Sequence, residues 1–153
     1  MTQQSVLTPE LKAQIGRTGK PIVFDIEKGA IRKYAEAIGD KNPLWVDEAF
    51  AQKTRHKSVV APPVFLHAAS ILARYAATDV FKSPLKNTVN GGQEFEYLAP
   101  VRVGDTITAV CRLGDLKEAQ GRLGMMLIVT YLIECKDQHG KPVANITQTI
   151  ISY

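Results

Sequence analysis

Residues 58–77 read SVVAPPVFLHAASILARYAA, and the pattern they carry decides the fold. Pro62 and Pro63 break whatever precedes them and are placed to open a helix, because the first helical turn has no use for the N–H that proline lacks. Beyond them the stretch is apolar nearly all round, through Phe65, Leu66, Ala68, Ala69, Ile71, Leu72 and Tyr75. His67, Ser70 and Arg74 make only a thin polar stripe. A helix apolar on almost every side belongs inside something.

The second half of the chain supplies the enclosure. In DTITAVCRL (105–113) the residues Ile107, Ala109, Cys111 and Leu113 alternate with Thr106, Thr108 and Arg112, which predicts a strand with one buried face. MMLIVTYLIEC (125–135) is apolar on both faces and reads as a central strand covered on both sides. KDQHGK (136–141) is a turn with His139 and Gly140 at its tip, and PVANITQTIISY (142–153) resumes the strand pattern. GGQEFEYLAP (91–100) predicts another strand, PVRVGD (100–105) a turn, and KPIVFDI (20–26) a short extra strand. The expected fold class is α+β: a strongly curved antiparallel sheet wrapped round one central apolar helix.

The first half is more helical. EKGAIRKYAEAIG (27–39) puts Ile31, Tyr34, Ala35 and Ile38 on one face at helical spacing, with Gly39 as a natural stop. A turn, Asp40-Lys41-Asn42-Pro43, follows, and Asp47 can cap a short helix running through Phe50 and Gln52. No internal repeat or low-complexity linker interrupts the 153 residues. The expectation is a single domain over residues 1–153, with residues 1–20 as an N-terminal extension. A chain of this length buries roughly 70% of its unfolded surface.

Composition narrows the function classes. The net charge of +4 and a pI near 9.1 suit an anionic ligand such as a nucleotide-bearing thioester or an acidic carrier protein. Nucleic acid is not the expected partner: the basic residues are scattered apart from Lys53, Arg55, His56 and Lys57, and no aromatic-basic interleaving offers a stacking platform. No run approaches the roughly 18 apolar residues of a membrane span. The N-terminus lacks the basic start and apolar core of a secretory signal, so a cytoplasmic location is expected. Cys111 and Cys135 lack CxxC spacing and read as buried thiols in a reducing compartment. No motif calls for a metal, flavin or nicotinamide, and the Gly pair in NGGQ is too weak to argue a phosphate loop, so no cofactor is expected.

In order, FDIEKGAIRKYAEAIGDKNPLWVDEAFA (24–51), VVAPPVFL (59–66) and NGGQEFEYLAPVRVGDTI (90–107) resemble the MaoC-like dehydratases, in their N-terminal-domain branch. The likeness runs from about Pro21 to the C-terminus. Its most specific element is the Gly-Asp-x-Asn-Pro turn followed by Asp-x-x-x-Ala; Pro-Val-x-x-Gly-Asp is a supporting one. The resemblance implies a hot-dog fold, paired edge to edge with a second hot-dog subunit as a homo- or heterodimer. It also implies hydration of a trans-2-enoyl thioester, or the reverse dehydration of a (3R)-hydroxyacyl thioester, carried on coenzyme A or on an acyl-carrier protein. In that reaction water loses a proton as it attacks the β-carbon and the α-carbon gains one, so a group within hydrogen-bond reach must serve each transfer. Charge building on the thioester oxygen calls for a backbone N–H aimed at it.

Carried over by residue, the resemblance places the catalytic aspartate at Asp40 and the orienting turn at Asn42 and Pro43. The family's histidine position holds Trp45, whose indole donates one N–H, accepts nothing and does not titrate. The glycine that supplies the carbonyl donor is matched by Pro63, which has no N–H. The site outline therefore keeps one acid, and departures of this kind resemble the heterodimeric 3-hydroxyacyl carrier-protein dehydratases, in which one hot-dog subunit lacks the catalytic pair and its partner provides the aspartate and histidine. The leading expectation is a substrate-binding half needing a catalytic partner. Substrate contacts are expected at Asn42, Trp45, Pro63, Val64 and His67, and phosphate contacts at Lys53, Arg55 and Lys57.

Each of these residues has a plainer reading. Asp40 can simply organise its turn, Trp45 can be packing, and the basic cluster can be surface charge. His56 and His67 are the remaining candidates for a proton shuttle. Rival functions are a self-sufficient hydratase with a rearranged site, a thioesterase, and a non-enzymatic acyl-thioester binding module. The central helix carries no carboxylate, which weakens the thioesterase reading.

Overall fold

The computed structural model describes residues 5–122 and 124–153. Five strands, β1 (Ile22–Asp25), β2 (Thr88–Tyr97), β3 (Thr106–Gly121), β4 (Gly124–Lys136) and β5 (Pro142–Ser152), form one sheet in the order β1-β3-β4-β5-β2. Every neighbouring pair is antiparallel. Among the described residues, four α-helices, α1 (Pro9–Lys12), α2 (Lys28–Ile38), α3 (Glu48–Lys53) and α4 (His67–Ala76), accompany it. A short 3-10 turn, Pro63–Leu66, leads straight into α4, as the two prolines predict.

α4 packs across β3, β4 and β1. Ala69 and Ala73, one turn apart on its inner face, are fully buried, and their small side chains let the helix lie close to the sheet. The opposing face of β3 is the expected set: Ile107, Ala109, Cys111 and Leu113 are all buried. Cys111 and Cys135 are both free and buried. β4 occupies the middle of the sheet, as its apolar run suggested, but the double cover does not follow. Val129, Tyr131 and Ile133 are buried, whereas Ile128 and Leu132, on the opposite face, are only half-buried.

The polar stripe of α4 is turned inward. Ser70 is fully buried, while Leu72 and Tyr75 stay 50% and 60% exposed. β2 forms one edge of the sheet beside this open flank, and Val89, Tyr97 and Leu98 are exposed along it.

Residues 1–4 of the N-terminal extension lie outside the described residues; the rest follows β3. Ser5 Oγ and the N–H groups of Val6 and Leu7 donate to Glu118 Oε2 at 2.8, 3.1 and 3.0 Å. Gly16 and Gly19 donate to the carbonyls of Leu113 and Cys111, each at 2.8 Å. Gly19 sits against the end of α4 so closely that an added Cβ would lie 2.6 Å from the Ala77 Cβ. Among the described residues, no helix is long and apolar enough to cross a membrane.

Candidate functional site

The site begins where α2 stops. Gly39 takes φ 71°, the left-handed conformation that glycine adopts without strain, and the Asp40 N–H bonds back to the Ala35 carbonyl at 3.0 Å. Asp40 Oδ1 accepts from the Asn42 N–H at 3.0 Å, and Asn42 Oδ1 accepts from the Leu44 N–H at 3.0 Å, capping a 3-10 turn, Pro43–Trp45. That turn swings the indole back, so Trp45 Nε1–H donates to Asp40 Oδ2 at 2.8 Å. Trp45 is buried, with 9% exposure, and Asp40 is exposed. Each carboxylate oxygen of Asp40 is thus held by a donor of its own loop.

The chain then passes through α3, whose first turn is capped by Asp47 Oδ1 on the Phe50 N–H at 2.9 Å, as expected. Ala61 N–H bonds to the Val101 carbonyl at 2.8 Å and brings the two prolines beside the segment after β2. Tyr34 Oη–H donates to the Val64 carbonyl at 3.1 Å, and its ring meets Phe65 edge-on, 5.4 Å between centroids. A cavity of about 460 Å³ opens here, walled by Trp45, Arg55, His56, Pro62, Pro63 and Leu66 on one side and by Tyr97–Val101 on the other. Burial pushes the Tyr34 and Tyr97 phenols above their ordinary range.

The structure brings some of the expected residues together and separates others. Trp45, Pro63 and Arg55 share the cavity wall, joined by His56. Asp40 and Asn42 stand behind Trp45 and do not line it. Lys53 closes α3, and Lys57 is exposed with φ 57°; neither is on the wall. Val64 is 49% exposed and also off the wall. His67 turns to the sheet edge, where its Nδ1 meets Gln93 Oε1 at 2.5 Å. Gln93 Nε2 donates to Ser70 Oγ at 2.9 Å, and Ser70 Oγ donates to the His67 carbonyl at 2.8 Å.

Sequence reasoning missed Gln93, Ser70 and Tyr34 as structural ties at this end of the helix. Their partners lie 23 to 30 residues away, and no local signal announces such pairs. Among the described residues, no group of three or more His, Cys, Asp or Glu side chains is arranged to hold a metal ion.

Comparison with known proteins agrees with this arrangement. A family model for the FAS1-like dehydratase domain region matches residues 13–146. A UPF0336 protein of Streptomyces griseus is 36% identical over 113 residues, 70% of this chain and 73% of that one. A probable enoyl-CoA hydratase alpha subunit of Thermomonospora curvata is 29% identical over 153 residues, 88% of this chain and 48% of that one. Among solved structures, the C-terminally truncated HadBC (3R)-hydroxyacyl-ACP dehydratase complex of Mycobacterium tuberculosis superimposes with a TM-score of 0.74 at 26% identity, covering 90% of this chain and 96% of that one. With the family match spanning most of the sheet and all of α4, this chain belongs to the FAS1-like dehydratase-region family, and it shares the hot-dog fold of a solved MaoC-like dehydratase.

Proposed function

We propose that this chain is the substrate-shaping subunit of a hydro-lyase that acts on enoyl and (3R)-hydroxyacyl thioesters. A second hot-dog chain brings the aspartate and histidine. The observation that carries this reading is the state of Asp40, whose two oxygens are each held by a donor from the loop, one of them an indole that cannot accept a proton. Water bound beside such a pair has no base on the tryptophan side. Pro63 likewise offers no N–H to a thioester oxygen, and the next residue able to do so is Val64.

The remaining expectations fit the same picture. The apolar wall around Trp45 and Pro63 suits an acyl chain, and Arg55 on that wall, with Lys53 and Lys57 nearby in sequence, suits the phosphates of coenzyme A or of a carrier-protein arm. The free edge of β2 and the open flank of α4 suit a partner of the same fold. HadBC is described as a complex and the Thermomonospora relative as an alpha subunit, which supports assembly from subunits. In this reading residues 1–153 act as one cytoplasmic unit.

Crotonyl-coenzyme A hydration by the purified chain, alone and with a catalytic hot-dog partner, tests the proposal. Negligible turnover alone and restored turnover in the mixture is the expected result. Rapid turnover by the chain alone, lost in Asp40→Asn, sinks it. One observation favours a second reading: His56 shares the cavity wall with Trp45, so a self-sufficient hydratase would use it as the proton-transfer group. His56→Ala would then abolish turnover by the isolated chain.

A further inference from the structure

A second cavity, of about 480 Å³, lies at the far end of α4, between the segment 78–85, the middle of β4 and the end of β5. Arg74 and Lys82 line it together with Thr78 and Ser83, while Phe81 and Ile150 contribute apolar wall. Among the described residues, no aspartate or glutamate lines it. Arg74 makes no salt bridge among the described residues, and its buried Nε has no hydrogen-bond partner. Its guanidinium lies 4.8 Å from the centre of the Tyr75 ring, which cannot replace an anion. Ser152, also on the wall, is 1% exposed, and its Oγ is likewise buried without a partner. Burial of a charged donor and a hydroxyl, both unsatisfied, is costly unless something else completes them.

We propose that this cavity binds a small carboxylic acid as its anion, the guanidinium of Arg74 and the hydroxyl of Ser152 facing the carboxylate while the hydrocarbon body rests on Phe81 and Ile150. A guanidinium offers a planar fork that matches a carboxylate, and the serine hydroxyl adds a third donor. Gln148 Oε1 is also buried without a partner, but it is an acceptor and Gln148 is not on the cavity wall, so it does not serve the anion. The absence of a lining carboxylate leaves the cation field uncancelled. α4 spans ten residues, about 15 Å, so this site is a helix length away from the cavity beside Trp45. The inference is therefore independent of the proposed hydro-lyase role.

Calorimetric titration of the intact chain with octanoate tests it, with octanamide and inorganic phosphate as comparison probes. Saturable binding of one octanoate per chain is expected, with octanamide and phosphate each at least tenfold weaker. Arg74→Met should weaken octanoate at least tenfold and Ser152→Ala severalfold. Ser83→Glu, which places a carboxylate on the wall while leaving both cations, should also weaken it tenfold or more. That variant keeps the test decisive if Arg74→Met fails to fold. No saturable octanoate binding, equal affinity for octanamide or phosphate, or unchanged binding in Ser83→Glu would overturn the proposal.

Discussion

Trp45 and Asp40 are joined across the turn by a 2.8 Å hydrogen bond from the indole N–H to Oδ2, and this bond stands where a proton-transfer pair is otherwise expected. The indole ties the loop together as a donor to Asp40 and does not itself titrate. Trp45 is a buried residue and a hydrogen-bond donor at once.

Restoring the missing groups tests how much of the chemistry they account for. Trp45→His combined with Pro63→Gly supplies a titratable ring beside Asp40 and an N–H at the mouth of the helix. The double variant should hydrate crotonyl-coenzyme A at least tenfold faster than the unaltered chain, and either single substitution should do less. Equal rates for all four proteins, each shown folded by circular dichroism, would place the deficit elsewhere in the cavity.

Trp45→Phe isolates the structural share of the same bond. It retains a ring in the core but deletes the donor to a carboxylate, an interaction of about 1.5–3 kcal/mol. Urea unfolding should show a loss in that range. A loss below about 0.5 kcal/mol would mean that water replaces the indole N–H without cost, since Asp40 is exposed.

The tie between α4 and the sheet edge is tested at Gln93. Its side chain bonds both His67 and the buried Ser70, so Gln93→Leu leaves the half-buried His67 Nδ1 without that partner and the Ser70 hydroxyl with only its bond to the His67 carbonyl. Unsatisfied buried groups cost about 1–3 kcal/mol each. Gln93→Leu should therefore destabilise more than Ser70→Ala, and the double variant should cost less than the sum of the two. Strict additivity in urea unfolding would show that the network is not cooperative.

Much of the fold was legible because it rests on local pattern. The alternation from Ile107 to Leu113 identified a buried face, Gly39 ended a helix, and Asp47 capped one, each through forces acting within a few residues. The turn from Asp40 to Trp45 was legible in outline for the same reason. What local pattern does not contain is which face of α4 the rest of the chain covers. His67, Ser70 and Arg74 form a thin polar stripe whose partner the helix pattern does not name, and Gln93 meets two of them from 23 and 26 residues away. The outer face of β4 reads as fully covered because apolar residues occupy it, but nothing in a strand's own sequence says whether a second layer exists.

Stability at alkaline pH is set in part by the two thiols. Burial pushes Cys111 from 9.0 up to about 11, with the nearby Arg74 charge opposing, and pushes Cys135 from 9.0 up to about 12, with Glu134 adding repulsion. A folded-state pKa raised above the unfolded one favours the protonated thiol, so this contribution is present in full below pH 9 and is lost as pH climbs towards 11 and 12. At about 1.4 kcal/mol for each unit, Cys111 alone accounts for roughly 3 kcal/mol over that span. Urea midpoints should fall between pH 9 and 11 and fall less in Cys111→Ala, whose side chain cannot ionise. Parallel pH profiles for the two proteins would exclude the thiol as the cause.

The open flank of α4 leads to the last expectation. Leu72 and Tyr75 are half to three-fifths exposed on a helix whose polar groups face inward, and Val89, Tyr97 and Leu98 extend the apolar surface along the unpaired edge of β2. A long free strand edge beside exposed apolar side chains favours pairing with another chain. Sedimentation should therefore show a two-chain species, either of this chain with itself or with a partner hot-dog subunit. Leu72→Asp with Tyr75→Asp should reduce it to a single chain without changing its circular dichroism, because neither side chain belongs to the buried core. A monomer in the unaltered protein that also fails to join a catalytic partner would leave this flank without a role in assembly and remove one support of the two-subunit reading.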